Sequence, residues 1–204
     1  VLDGADNFPA EQTQWNDSDG DGFGDNQAGK DADAYPDDPT QWADFDGDGH
    51  GDNPNGTNAD AFSFEPTQWD DADEDGYGDN PLGFAPDAFP QQISQHIDTD
   101  GDGHGDSPIG FEGDLFPNNA DQWQDRDGDG YGDNSSGVAG DACPNHAGTS
   151  TSDRLGCPDQ DSDGFSDPDD GWLPEQGADA WATEPTQWSD FDGDGYYDNY
   201  GDPT

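Results

Sequence analysis

The feature that most constrains this chain is a nine-residue pattern in which aspartate occupies alternate positions and glycine follows the third aspartate. Residues 17–25, DSDGDGFGD, show the pattern in full. It recurs at 44–52, 71–79, 98–106, 125–133, 159–167 and 190–198, and we number the seven stretches loops 1 to 7. Carboxylates spaced this closely repel one another, so the pattern favours a chain that binds positive charge between them.

The composition excludes an ordinary apolar core. Of 204 residues, 51 are acidic and 3 are basic, the net charge is −48, and only 26% are hydrophobic. Such a chain cannot bury enough apolar surface to offset its conformational entropy, so we expect bound cations to replace the core. The negative charge argues against nucleic acid as a partner. No apolar run reaches the roughly 20 residues of a membrane span, so we expect no membrane insertion.

A 27-residue repeat connects the loops. Trp15, Trp42 and Trp69 follow one another at this spacing, and the next two steps reach His96 and Trp123. We call this the tryptophan column. Seven residues before each member lies the phenylalanine column, which comprises Phe8, Tyr35, Phe62, Phe89 and Phe116. The predicted segments are 1–15 as the end of a preceding repeat, 16–42, 43–69, 70–96, 97–123, 124–157 and 158–188 as repeats 1 to 6, and 189–204 as an incomplete repeat 7.

The two cysteines replace both aromatic columns in one repeat. Cys143 stands in the phenylalanine column, and aligning loop 6 on loop 1 puts Cys157 in the tryptophan column. This predicts that the two columns touch in the other repeats and that a disulfide replaces the contact here. Two free buried thiols are the alternative. A disulfide indicates an oxidising compartment, and hence an extracellular or cell-surface location.

Each loop matches the first three quarters of an EF-hand calcium loop. In loop 1, Asp17, Asp19 and Asp21 occupy positions one, three and five, Phe23 offers its carbonyl at position seven, and Asp25 stands at position nine. We predict calcium rather than magnesium, because the carboxylates are too many for a strongly hydrated ion. Zinc is disfavoured because the histidines do not cluster in the sequence. Position twelve has no glutamate, so we expect an affinity of about 10⁻⁴–10⁻³ M.

One further aspartate recurs two residues before each phenylalanine-column position, and we call it the closing aspartate. It is either the last ligand of the preceding loop or a cap for the turn that follows, and we favour the ligand. One or two calcium ions per repeat are expected. The predicted ligands are Asp6; Asp17, Asp19, Asp21, Phe23, Asp25 and Asp33; Asp44, Asp46, Asp48, His50, Asp52 and Asp60; Asp71, Asp73, Asp75, Tyr77, Asp79 and Asp87; Asp98, Asp100, Asp102, His104, Asp106 and Asp114; Asp125, Asp127, Asp129, Tyr131, Asp133 and Asp141; Asp159, Asp161, Asp163, Phe165, Asp167 and Asp179; and Asp190, Asp192, Asp194, Tyr196 and Asp198.

The units resemble thrombospondin type 3 repeats, whose signature is D-x-D-x-D-G-x-x-D with cysteine-proline punctuation. DACP at 141–144 and GCPDQDSDGFSD at 156–167 carry the resemblance most closely. It implies an extracellular, calcium-wrapped rod in which ions form the core. Most repeats here depart from the family by placing phenylalanine or tryptophan where it has cysteine, and by a longer tail. The tandem phrases DAFP and PTQW resemble those of a prokaryotic, or archaeal, surface protein.

We therefore expect tandem calcium-binding repeats with little regular secondary structure, forming an elongated rod in which ions and aromatic pairs replace a hydrophobic core. The stretch between the two columns is the one plausible helical turn, kept short by prolines such as Pro36 and Pro39. Strands, if formed, are two or three residues long across a loop. The position-seven aromatic is expected to pack on a neighbouring repeat, with a sugar-binding stripe as the alternative.

These expectations favour a structural function: an extracellular rod, stalk or fibre. The matching ends of the chain favour either head-to-tail assembly with neighbouring copies or one period of a longer array. A calcium-dependent adhesion or docking module and a low-affinity calcium buffer are the alternatives. No nucleophile is paired with a base, so we do not expect an enzyme. Three sequons mark glycan sites, with unmodified asparagines as the alternative: Asn16, Asn55 and Asn134.

Overall fold

The fold contains almost no regular secondary structure, as expected. A computed structural model describes residues 6–190 and 192–198. Within these ranges the single helix is a short 3-10 helix, Pro174–Gln176. No helix in the described ranges has the length and apolar character that crossing a membrane requires. The chain divides into two compact units, Val1–Ile97 and Asp98–Thr204.

Backbone pairing joins the end of each loop to its closing aspartate. The glycine at loop position eight forms an isolated parallel bridge with the residue just before the closing aspartate, as between Gly24 and Ala32. The N–H of Asp33 then donates to the carbonyl of Gly24 at 2.9 Å. We predicted short strands across the loop itself. The observed bridges instead run from the loop to the segment that follows it, namely Gly24–Ala32, Gly51–Ala59, Gly78–Pro86, Gly105–Gly113 and Gly132–Gly140.

The stretch between the two aromatic columns forms two successive turns, so the predicted helical turn is wrong. In repeat 1 the N–H of Asp38 donates to the carbonyl of Tyr35 at 2.9 Å, and the N–H of Gln41 donates to that of Asp38 at 3.0 Å. Each bond spans three residues, which is the β-turn spacing. The 3-10 helix lies elsewhere, in the longer connection between loop 6 and Asp179.

A buried glutamine, one residue before the tryptophan column, fills the interior of each of the first repeats. The side chain of Gln41, at the end of repeat 1, reaches into repeat 2. It donates to the carbonyls of Asn53 at 3.1 Å and Thr57 at 2.9 Å, and accepts the N–H of Asn53 at 2.9 Å. A Cβ atom on Gly51 would lie 2.2 Å from this side chain, so the glycine makes room for it. The equivalent glutamines are 1–3% exposed: Gln14, Gln41, Gln68, Gln95 and Gln122. A polar amide therefore occupies the place that an apolar core residue would normally take.

The aromatic rings stack in a different pairing from the predicted one. The residue before the phenylalanine column is bonded to the tryptophan column, since the N–H of Ala34 donates to the carbonyl of Trp42 at 3.0 Å. The Trp42 ring stacks on Phe23, at position seven of loop 1, with centroids 5.1 Å apart. That partner belongs to the same segment, 16–42, rather than to a neighbouring repeat. Equivalent stacks are His50–Trp69, Tyr77–His96, His104–Trp123 and Phe165–Trp188.

The predicted disulfide between Cys143 and Cys157 is confirmed, with Cα atoms 5.0 Å apart. The glutamine–glycine pair is exchanged beside it. Gly156 stands three residues before loop 6, where other loops have glutamine, and Ser166 stands at loop position eight, where they have glycine. The N–H and hydroxyl of the fully buried Ser166 donate to the carboxylate of Asp153 at 2.9 and 2.6 Å. A cross-link and a serine–aspartate pair thus replace the glutamine here.

Candidate cation-binding loops

The aspartate loops bring their carboxylates together. Among the described residues, seven groups of three or more His, Cys, Asp or Glu side chains each place their ligand atoms within 4.8 Å of one another. Five of these groups are the position-one, -three and -five aspartates of loops 1 to 5, as in Asp17, Asp19 and Asp21. Oxygen atoms gathered at this distance could hold a metal ion.

In loop 1, backbone hydrogen bonds hold both oxygens of the position-one carboxylate and one oxygen of each carboxylate at positions three and five. Asp17 accepts the N–H of Gly20 at 2.7 Å and of Gly22 at 3.2 Å, and Asp21 accepts the N–H of Phe23 at 2.8 Å. Gly20 and Gly22 have φ values of +85° and +99°, which glycine adopts without steric cost. The backbone therefore curls around the carboxylates, and the remaining oxygens are left for another partner.

The remaining oxygens at positions three and five are buried and have no hydrogen-bond partner. In loop 1 these are Oδ2 of Asp19 and Oδ2 of Asp21. A buried acceptor without a partner costs about 1–3 kcal/mol, so repeating this arrangement along the chain favours a partner from outside the chain. The same unpartnered oxygens occur in loops 2 to 6, on Asp46, Asp48, Asp73, Asp75, Asp100, Asp102, Asp127, Asp161 and Asp163.

The closing aspartate makes the cap-like hydrogen bond and keeps its second oxygen without a hydrogen-bond partner. Asp33 accepts the N–H of Tyr35 at 2.8 Å through one oxygen, as a cap does, while its Oδ2 is buried without a partner. Burial raises the pKa of Asp33, and the carboxylates of Asp21, Asp19 and Asp25 raise it further. The equivalent residues all have an unpartnered Oδ2 and are at most 5% exposed: Asp33, Asp60, Asp87, Asp114, Asp141 and Asp179.

The last two closing aspartates have the most strongly shifted acidity. Burial raises the pKa of Asp141 to about 6, and the neighbouring carboxylates of loop 5 add to the effect. Burial raises the pKa of Asp179 to about 6 in the same way, with loop 6 as the neighbour. Both shifts describe the ion-free chain, in which these oxygens have no positive partner.

The residue at loop position two controls the position-nine aspartate. In loop 1 the N–H and hydroxyl of Ser18 donate to Asp25 at 3.1 and 2.6 Å, so both oxygens of Asp25 have partners. In loop 4 the N–H and hydroxyl of Thr99 bind Asp106 in the same way. A hydroxyl at position two therefore keeps the position-nine carboxylate occupied within the chain.

Loops 2 and 3 lack that hydroxyl. Phe45 and Ala72 stand at position two, and each gives only its backbone N–H to the position-nine aspartate, at 3.0 and 3.2 Å. The other oxygen, Oδ1 of Asp52 or of Asp79, is buried without a partner. These two loops consequently present one more unpartnered carboxylate oxygen than loops 1 and 4.

The remaining predicted site residues fall into place around the loops. In loops 1 to 4 and 6 the position-seven ring stacks on the tryptophan-column residue, and the backbone carbonyl of position seven stays the predicted ligand atom. Asp6 accepts the N–H of Phe8 at 2.9 Å, the bond that every closing aspartate makes, but it is exposed. In loop 7, Asp190 accepts the N–H of Gly193 at 2.8 Å and of Gly195 at 3.0 Å, as Asp17 does in loop 1.

The three sequons lie in different environments. Asn16 is exposed, and its side-chain amide donates to Asp25 and Ser18 in loop 1. The Asn134 amide donates to the carbonyl of Asp121 at 2.9 Å and forms part of the turn after loop 5. Asn55 is exposed beside Gly56 and is the sequon best placed for a glycan.

Sequence reasoning missed the buried glutamine and the position-two hydroxyl. The signal for the first was that, in loops 1 to 5, a glutamine before the tryptophan column always occurs together with a glycine at loop position eight. The signal for the second was the change at position two from serine or threonine to phenylalanine or alanine. Neither pattern can be interpreted until the structure shows what the side chain contacts.

No protein-family model matches the chain, and no curated protein matches it. The resemblance to thrombospondin type 3 repeats therefore stands on the chain's own residues. Aspartate triplets recur at a spacing of 27 residues in the first five loops, and this indicates a calcium-binding repeat.

Proposed function

We propose that this chain is an extracellular structural protein in which calcium ions, one or two per repeat, stiffen tandem loops into a rod, stalk or fibre. One observation carries the proposal. Loops 1 to 6 each hold buried carboxylate oxygens without a hydrogen-bond partner, from the loop and from the closing aspartate. A hard cation bound by these oxygens removes both their repulsion and their desolvation cost.

Calcium suits this donor set better than magnesium. Calcium takes six to eight oxygens in flexible geometry, whereas magnesium retains several of its waters. Loop 1 alone offers the carboxylates of Asp17, Asp19, Asp21 and Asp33 and the carbonyl of Phe23. Asp25, the remaining predicted ligand, has both oxygens hydrogen-bonded to Ser18. Seven divalent ions neutralise less than a third of the net charge of −48, so the chain has carboxylates for second ions.

The disulfide supports an extracellular location, because such bonds persist in oxidising compartments. Repeats whose contacts are mostly local stack into quasi-one-dimensional arrays, which supports the rod and assembly with neighbouring copies. Asn55 supplies a site for glycans on such a surface.

Small-angle X-ray scattering in millimolar calcium and then in excess chelator tests the proposal. We expect a stiff, elongated particle in calcium that expands into a coil on chelation, because the carboxylates then repel one another. Magnesium at the same concentration is the control for ionic strength and should not restore compactness. An equally expanded coil in both conditions would overturn the proposal and favour the calcium buffer.

A calcium-dependent docking module is the second candidate, favoured by a cavity beside the disulfide. The cavity has a volume of about 330 Å³ and is lined by Cys143, His146, Cys157, Pro158 and Asp167, among others. Deleting residues 144–156 should then abolish capture of a partner, while removing repeats 1 and 2 should not.

A further inference from the structure

Repeat 3 differs from the others because an imidazole replaces the indole of the tryptophan column. The ring of His96 stacks on Tyr77, with centroids 3.8 Å apart and planes inclined by 6°. Its Nδ1 atom lies 3.8 Å from Oδ2 of Asp75, the position-five aspartate of loop 3. Tyr77 therefore holds a nitrogen ligand beside the carboxylates of this loop.

The separation between His96 and Asp75 suits a shared ion. At 3.8 Å the two atoms are too far apart for a hydrogen bond. Two ligands that each lie about 2.0–2.2 Å from one transition-metal ion are about 3–4 Å apart, depending on the angle between them. The Asp75 side chain is 4% exposed, and its Oδ2 has no hydrogen-bond partner.

Further unpartnered oxygens surround Asp75. Asp87 is 5% exposed, and its Oδ2 is buried without a partner. Burial raises the pKa of Asp87, and among the neighbouring carboxylates that of Asp75 raises it most, followed by those of Asp73 and Asp79. Oδ2 of Asp73 and Oδ1 of Asp79 are likewise buried and unpartnered. An ion held by His96 and Asp75 thus has additional oxygen ligands within loop 3.

We propose that loop 3 binds a divalent transition-metal ion of the zinc or cobalt type, with Nδ1 of His96 and Oδ2 of Asp75 among its ligands. Imidazole nitrogen favours such ions over calcium, whereas the all-oxygen loops favour calcium. The proposal rests on the proposed function in one respect, that the loops bind cations. It adds that one loop selects a different cation.

The other histidines of the repeats are placed differently. His50 and His104 stand at position seven, and their rings stack on Trp69 and Trp123 at 4.9 and 4.8 Å. They provide matched controls, because phenylalanine and tyrosine occupy the same position in other loops. His146 lines the cavity beside the disulfide.

The test is a titration of the calcium-loaded full chain with Co²⁺, followed by visible absorption, whose bands report nitrogen ligation. We expect one site with an imidazole ligand in the wild type. His96→Trp, which restores the residue of the other repeats and so preserves the stack, should weaken this site by at least about tenfold. His50→Phe, His104→Tyr and His146→Gln should leave it unchanged.

Two results would overturn the proposal: Co²⁺ binding by His96→Trp that equals the wild type, or loss of the site in any of the three control variants. Scattering with calcium and chelator on the same samples separates this outcome from failure of the proposed function. Calcium-dependent compaction with no His96-dependent cobalt site rejects only the transition-metal site. Absence of calcium-dependent compaction rejects the proposed function.

Discussion

The region around loop 2 and the disulfide region solve the same packing problem in opposite ways. At loop 2 the large side chain, Gln41, lies before the loop and the small residue, Gly51, lies inside it. Around loop 6 the small residue lies before the loop, as Gly156, and the larger one inside it, as Ser166. Asp153 then accepts the two hydrogen bonds that Ser166 donates.

We infer that the residue three positions before each loop and the residue at loop position eight are complementary in size, and that neither of them alone specifies the packing. Loop 7 supplies a third case, because Gln187 stands before it and Tyr197 replaces the glycine at position eight. Gln187 is only partly buried there, and its Oε1 has no hydrogen-bond partner. A glutamine beside a large position-eight side chain is thus more exposed than one beside glycine.

Of the changes considered, Gly51→Ala should lower the free energy of unfolding the most. The added Cβ would lie 2.2 Å from the Gln41 side chain, which must leave its site and give up three hydrogen bonds. At about 1 kcal/mol per bond, with overpacking in addition, we expect a loss of roughly 4 kcal/mol in the free energy of unfolding. Urea unfolding in calcium measures it.

A double-mutant cycle provides the control. In the Gln41→Ala background the same Gly51→Ala change meets open space and should cost less than about 1 kcal/mol. Additive losses from the two substitutions would contradict the complementary pair. Ser166→Gly, which places the glycine of the other loops at position eight of loop 6, should lower the free energy of unfolding, because Asp153 then loses the hydroxyl donor.

Reduction of the disulfide should have the next largest effect. The cysteines are 14 residues apart, and closing a loop of this length stabilises a fold by about 3 kcal/mol. We expect Cys143→Ala/Cys157→Ala to lower the unfolding free energy of the unit Asp98–Thr204 by this amount. Hydrogen exchange resolved by peptide measures it, with peptides from 43–69 as the internal reference, which should not change.

Acid should weaken calcium binding at the disulfide region more than in the other repeats. Burial raises the pKa of Asp141 and Asp179 to about 6, so the ion-free fold is favoured by protonation below this pH and loses that contribution as the pH rises through 6. The ion must displace these protons. At pH 5 we expect about a tenfold loss of affinity at loops 5 and 6.

Calorimetry in two buffers of different ionisation enthalpy measures the protons released per calcium bound. Asp141→Asn keeps the acceptor for the N–H of Cys143 but removes one titrating group, and it should lower the count. An equal count in this variant, or no proton release at pH 5, would contradict the assignment.

The position-two exchange should have the smallest effect. Thr99→Ala removes the hydroxyl that donates to Asp106 and makes loop 4 resemble loop 3. The freed oxygen should raise the calcium affinity of loop 4 by a few-fold, about 1 kcal/mol or less. Ala72→Ser is the reverse change and should lower the affinity of loop 3, which calcium titration calorimetry measures. Shifts of equal sign in the two variants would contradict this role.

The sequence predicted the loops, the lack of regular secondary structure and the Cys143–Cys157 bond, because each depends on residue type and spacing alone. It did not predict the ring pairing of Phe23 with Trp42, because the spacing of 19 residues is meaningful only once the loop curls. It did not predict the buried Gln41 either. A polar residue is normally exposed, and only the surrounding backbone carbonyls and the neighbouring glycines make its burial favourable.

The reach of these contacts has a consequence for how the chain can change length. The glutamine bonds span 12 to 16 residues and the ring stacks of the first loops span 19, so both are shorter than the 27-residue period. Duplicating any 27 consecutive residues within repeats 1 to 4 therefore adds one complete set of contacts and breaks none. Unequal recombination in the gene can therefore lengthen or shorten such a protein by whole 27-residue repeats, and no compensating substitutions are needed to restore the packing.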